Sequence, residues 1–122
     1  MTKIEYINYI DQIPALTTHG FGTDRNGHNY NHVEEHEDLK NFPEAFEICE
    51  HMLTNQYTVS TRKEDNFDSY RLKHEAERYA EDVLKKNIYV PEGVLVAVVL
   101  HLGLPYERSK ETTGIFIRLK KK

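Results

Sequence analysis

Along residues 3 to 13 the apolar side chains Ile4, Ile7 and Ile10 recur at helical spacing, and Thr2 and Glu5 stand where a capping box needs a hydroxyl and a carboxylate. The pattern predicts a helix that Pro14 ends. From Thr17 to Asn31 the periodicity is lost. Gly20, Gly22 and Gly27, with Asp24, Asn26, Asn29 and Asn31, supply turn chemistry, so a long loop is expected there. Asn31 then reads as an N-cap with Glu34 three positions on, opening a short polar helix to about Leu39.

Phe42 to Leu53 places Pro43 at a helix start and Phe46, Cys49, Met52 and Leu53 on one side, the stripe of a helix that packs on a core. Tyr57, Val59 and Thr61 alternate with polar neighbours over 56 to 62, which predicts a strand. A long helix is expected from Asp65 to about Lys86 with Leu72, Ala76, Tyr79, Ala80 and Val83 inward. Pro91, Glu92, an aliphatic run and Gly103 describe a second helix, buried on nearly every side. Residues 113 to 120 alternate Ile115, Ile117 and Leu119 with Phe116, Arg118 and Lys120, a strand with one apolar face whose natural partner is the one at 56 to 62. The sum is an α+β fold in one domain, 1 to 122, with about five helices and a small antiparallel sheet.

A chain of 122 residues buries roughly two thirds of the surface it exposes when unfolded, so no staple is required. The single cysteine, Cys49, leaves no internal disulfide and no CxxC metal knuckle; it reads as a core residue in a reducing, cytoplasmic setting. The longest apolar run, Val94 to Leu100, falls far short of the ~20 residues that span a bilayer, and no charged stretch followed by an apolar run opens the chain, so neither membrane insertion nor export is expected.

Charge changes this picture more than composition does. Residues 1 to 60 carry 3 Lys/Arg against 10 Asp/Glu, a net of -7, whereas residues 103 to 122 carry 6 against 2, a net of +4. The acidic half repels phosphate, and direct nucleic-acid binding would rest on Arg118, Lys120, Lys121 and Lys122 alone, a small footprint. An acidic surface instead complements a basic protein groove, including one that normally holds nucleic acid.

The chemistry-bearing residues cluster in the same half. His28, His32 and His36 follow at four-residue intervals, and His32 and His36 fall on one helix face with Cβ atoms ~6 Å apart, a spacing that suits two imidazoles on one zinc ion. A third ligand would come from His28, His19 or Glu35, and Glu35 would serve as base in the H-x-x-E-H form of inverted zinc proteases. The polarity of this helix favours a solvated histidine face instead. His74 has no Ser or Cys nucleophile placed beside it and reads as a solvated or Tyr70-stacked side chain, while His101 in the last turn of its helix answers the helix dipole, a structural reading as good as a catalytic one. The buried helix and final strand also sketch a winged helix-turn-helix, against which stand a misplaced turn glycine and the lack of a basic recognition helix.

Ser69, Tyr70, Lys73 and His74, followed by Tyr89, Val90, Gly93, Ala97 and Gly103, form a pattern over residues 69 to 104 that resembles one in small proteins of phages and mobile elements. That pattern is a Ser-Tyr-x-x-Lys-His helix, a Tyr-Val/Ile-x-x-Gly entry and an aliphatic helix ending in Gly. The resemblance covers about a third of the chain and carries over no catalytic residue set. It implies a phage-like or mobile-element origin. Together with the acidic surface it leads to the expectation of a non-enzymatic protein that acts in the host cytoplasm. There it would bind and inhibit a host protein, a nuclease of a CRISPR or other defence system in the manner of an anti-CRISPR. The residues expected to meet the partner are Glu34, Glu35, Glu37, Asp38, Glu44, Glu47 and Glu50, with no cofactor. The alternative is a zinc-binding protein or metal-dependent hydrolase built on His28, His32 and His36.

Overall fold

The computed structural model describes residues 1–22 and 32–122, His32 by its backbone alone. The elements run α1 (Lys3–Asp11), β1 (Leu16–Thr17), β2 (Gly20–Phe21), α2 (His32–Leu39), α3 (Pro43–Gln56), β3 (Tyr57–Val59), β4 (Phe67–Asp68), α4 (Ser69–Asp82), α5 (Glu92–Leu102), β5 (Tyr106–Arg108), β6 (Ile115–Ile117) and β7 (Leu119–Lys121). The fold is α+β, as the hydrophobic pattern predicts.

Its axis is α5, in which every residue from Gly93 to Val99 is buried, and α3 and α4 pack against it. Each fully buried Val or Leu of that run contributes about 1.5–3 kcal/mol relative to an exposed position. Phe46 of α3 anchors α1 by edge-on contact with Tyr6 and Tyr9, ring centroids 5.4 and 5.8 Å apart, and Tyr9 donates its hydroxyl to the Ala97 carbonyl at 2.8 Å. The capping box forms as read from Thr2 and Glu5, and Gly103 closes α5 in the left-handed conformation, φ 67°. Cys49 is buried in the core, where burial pushes its thiol well above the ordinary range.

The sheets depart from the expectation. The stretch 113 to 120 is two strands, not one. At Arg118 the chain changes partner: its backbone N–H makes the last bond on the β5 side, to the Pro105 carbonyl at 3.1 Å, and its carbonyl accepts the Ser60 N–H beyond β3 at 3.1 Å. Before that residue, β6 is the centre of an antiparallel sheet ordered β4-β6-β5; after it, β7 pairs with β3, Val59 opposite Leu119. Only β7 therefore meets the strand predicted at 56 to 62, which is itself shortened to Tyr57–Val59, α3 continuing to Gln56 at one end and the strand stopping before Ser60 at the other. Ile115, Ile117 and Leu119 nonetheless all face inward, so the alternation survives the change of sheet.

Two further boundaries move for local reasons. Phe67 and Asp68 are spent in β4, so α4 begins at Ser69, with the Asp68 carboxylate accepting from the Arg71 N–H at 3.0 Å. It ends at Asp82, where the left-handed Lys85 (φ 57°) turns the chain and the Lys86 N–H reaches back to the Ala80 carbonyl at 2.8 Å. In the region expected to be loop, Leu16–Thr17 and Gly20–Phe21 make a tight hairpin. The hairpin docks on the start of α5, where the Gly93 N–H donates to the Thr18 carbonyl at 3.0 Å and any Cβ on Gly93 would overlap the Thr17 carbonyl.

Candidate functional site

The seven carboxylates expected to meet a partner divide into two groups. Glu34, Glu37 and Asp38 on α2, with Glu44 and Glu47 on α3, are exposed. Glu37 pairs with Lys40 (3.0 Å) and Glu44 with Lys86 (3.0 Å), while Glu34, Asp38 and Glu47 hold no ion pair among the described residues. Glu35 and Glu50 are half-buried instead. Glu35 lies 3.3 Å from His19 Nε2, its other oxygen buried without a partner, and Glu50 lies 3.4 Å from His101 Nε2. Both point toward histidines of this chain, so the outward acidic face is carried by the other five.

Of the histidine series, His28 and the side chain of His32 lie outside the described residues. His36 is buried rather than solvated, and its Nδ1 donates to the Leu16 carbonyl at 2.7 Å, tying α2 to β1. It stands in a group with Asp11 and Glu37 whose ligand atoms lie within 4.8 Å of one another. The Lys40 ammonium, 2.5 Å from Asp11 and 3.0 Å from Glu37, already supplies the cation there. His74 stacks edge-on against Tyr70 (4.6 Å) and contacts Glu77 (3.0 Å); His51 hydrogen-bonds the Tyr79 hydroxyl. Tyr6, Tyr9 and Phe21, which would mark an interface if exposed together, are buried or half-buried; Tyr30 lies outside the described residues.

Where α4 and α5 begin lies a cluster to which no sequence motif assigns a site role. Ser69, the first residue of α4, is buried, donates to Glu92 Oε2 at 2.5 Å and accepts the Ile115 N–H at 3.0 Å. One hydroxyl thus ties α4, α5 and β6. Gly114 makes the approach possible, since a Cβ there would stand 2.7 Å from Ser69 Oγ and closer still to Glu92. Burial pushes the Glu92 carboxyl above the ordinary carboxylate range, the Ser69 hydroxyl opposes the shift, and Asp68 adds to it. Around this pair opens a cleft of about 380 Å³ whose wall includes Asp68, Tyr70, Glu92, Glu111 and Phe116.

One turn along α4, Lys73 is buried with its ammonium 3.6 Å from Glu77 and 4.7 Å from the centre of the Tyr89 ring, while Glu77 also accepts the Val90 N–H at 3.0 Å. Ser69, Tyr70, Lys73, His74, Tyr89, Val90 and Gly93, which carried the resemblance, therefore converge on the α4–α5 junction. Glu92 was legible only as an acid in a helix first turn; its burial depends on residues 23 and 22 positions away on either side, and no local pattern signals it.

No protein-family model, no curated protein and no solved structure matches this chain.

Proposed function

We propose that this chain binds a basic surface of another protein through the carboxylates of α2 and α3 and thereby blocks it. The partner is a host protein, a nuclease or other nucleic-acid-binding component of a CRISPR or similar defence system, and the encounter takes place in the host cytoplasm. The observation that carries the reading is that Glu34, Glu37, Asp38, Glu44 and Glu47 are exposed on two consecutive helices, three of them without an ion pair among the described residues. Unpaired surface carboxylates at this density repel nucleic acid and attract the grooves that hold it. The resemblance over residues 69 to 104 supports the phage-like origin, and among the described residues no helix is long and apolar enough to cross a membrane.

The test is capture of partners from a bacterial host lysate on the tagged chain, beside a variant carrying Glu34→Lys, Asp38→Lys and Glu47→Lys. These positions are exposed and bonded to nothing the fold needs, so the variant keeps its structure. The wild type is expected to retain one basic, nucleic-acid-binding protein in stoichiometric amount, and the variant to lose it by more than about tenfold, because like charges set against each other cost several kcal/mol. Equal retention by the two proteins sinks the reading.

A further inference from the structure

We propose that a second copy of this chain docks head to tail on the first, the start of α2 in one copy seated in the hollow that α3, α5, β3 and β7 form at the far end of the next. The inference goes beyond the reading above, since it needs no host protein and gives the acidic helix another occupant.

The hollow measures about 360 Å³ and is walled by Leu53, Val59, Leu102, Leu104 and Leu119, with Lys122 at its edge. The wall is apolar, and Val59 stands 47% exposed in it. The rim is cationic. Lys120 lies opposite Thr58 in the ladder of β3 and β7, exposed and without an ion pair among the described residues. The Lys122 ammonium gives one of its donors to the Thr54 carbonyl and keeps the others.

The start of α2 answers this hollow in polarity and in charge. Val33 is 71% exposed on a helix whose other large apolar residue, Leu39, is buried. Glu34 is its neighbour and Asp38 stands one turn on from Glu34, both exposed and without an ion pair among the described residues, whereas Glu37 is held by Lys40. A lone exposed valine is ordinary. An apolar knob flanked by free carboxylates is a different matter when the same chain carries an apolar hollow rimmed by free ammonium groups.

The two patches cannot meet within one molecule. α2 lies against the start of α5, where Leu39 reaches Gly93 and His36 holds the hairpin whose Thr18 carbonyl accepts the Gly93 N–H. The hollow is built on Leu102 and Leu104, at and beyond the other end of that helix. From Gly93 to Leu102 the helix rises about 14 Å, more than the roughly 8 Å over which exposed charges act at physiological salt. The carboxylates of one copy are therefore left for the lysines of another. Such a contact joins unlike patches, so it extends into rings or short chains rather than closing as a two-fold dimer.

The experiment is sedimentation velocity on the purified chain from micromolar to millimolar concentration. At low salt the mean mass is expected to rise with concentration, and at about 1 M salt, where screening acts within about 3 Å, to return to that of the monomer. Val33→Ser, at a position the fold does not depend on, is expected to weaken association about tenfold, the worth of one buried valine. Two charge variants complete the test. Glu34→Lys with Asp38→Lys, and Lys120→Glu with Lys122→Glu, should each stay monomeric alone, because knob and rim then carry the same sign. Mixed in equal amounts they should associate again, the reversed knob of one meeting the reversed rim of the other. A wild type that is monomeric throughout, association that Val33→Ser or either charge variant leaves unchanged, or a mixture that stays monomeric overturns the proposal. A monomeric purified chain leaves the host-protein reading standing, and failure to capture a host protein leaves this one standing.

Discussion

Burial holds the Glu92 carboxyl above its ordinary value of 4.5, and Asp68 adds to the shift, while the Ser69 hydroxyl, His19 and Lys73 draw it back. A raised carboxyl binds its proton more tightly folded than unfolded. Above the folded pKa the ionised group therefore carries a penalty, which disappears as pH falls through that value toward and below 4.5. Glu92→Gln keeps an oxygen for Ser69 and cannot ionise. We expect it to melt higher than the wild type at pH 7, with the difference shrinking steadily toward pH 4; a difference that is constant with pH, or of opposite sign, shows that desolvation does not govern this site. His36 makes the contrary case of a polar group the fold depends on. Its removal leaves the buried Leu16 carbonyl without its donor and a hole behind α2, so His36→Ala is expected to cost about 1–3 kcal/mol in urea unfolding. A cost within error of zero, or a loss of bound zinc as the main effect, would argue for a solvated or metal-binding imidazole instead.

At the scale of elements, legibility tracked how local the determinants are. The capping box of α1, the Pro-to-Gly frame of α5 and the stripe of α3 are written within one or two turns, and each helix stands where its pattern places it. The strands β1, β2, β4 and β5 are two or three residues long, too short for alternation to emerge, and exist because distant backbones supply their partners. The break of 113 to 120 at Arg118 is likewise invisible in its own side chains; it follows from β3 and β4 offering separate edges. The cleft shares this property, since Ser69, Glu92 and Gly114 come from three elements. Gly114→Ala tests whether they act as one joint. Its added methyl would force Ser69 from Glu92, at a cost of about 1–3 kcal/mol for overpacking. Hydrogen exchange should speed at the Ile115 amide, which donates to Ser69, and not at the amides of α1. Uniform loosening of both would mean that the junction is no separate unit.

For the whole molecule, the uneven spread of charge decides what association with a partner should look like. The net of -7 in residues 1 to 60 includes the exposed carboxylates of α2 and α3, while Lys120 and Lys121 stand exposed on β7 and the Lys122 ammonium donates to the Thr54 carbonyl at 3.1 Å. A basic groove is steered toward the acidic helices and away from β7, and steering acts over a distance set by the Debye length, about 10 Å at 0.1 M salt and about 3 Å at 1 M. The association rate with the captured partner should therefore fall by about tenfold or more as salt rises across that range, with the dissociation rate changing much less. Reversal of Lys120 and Lys121 to Glu should raise the association rate at low salt, because it removes repulsion without touching the proposed binding face. The opposite result, slower association after that reversal, would place the partner's negative charge against β7. It would mean that the basic end, not the acidic helices, makes the encounter, as it would if nucleic acid held by the partner were what this chain recognises.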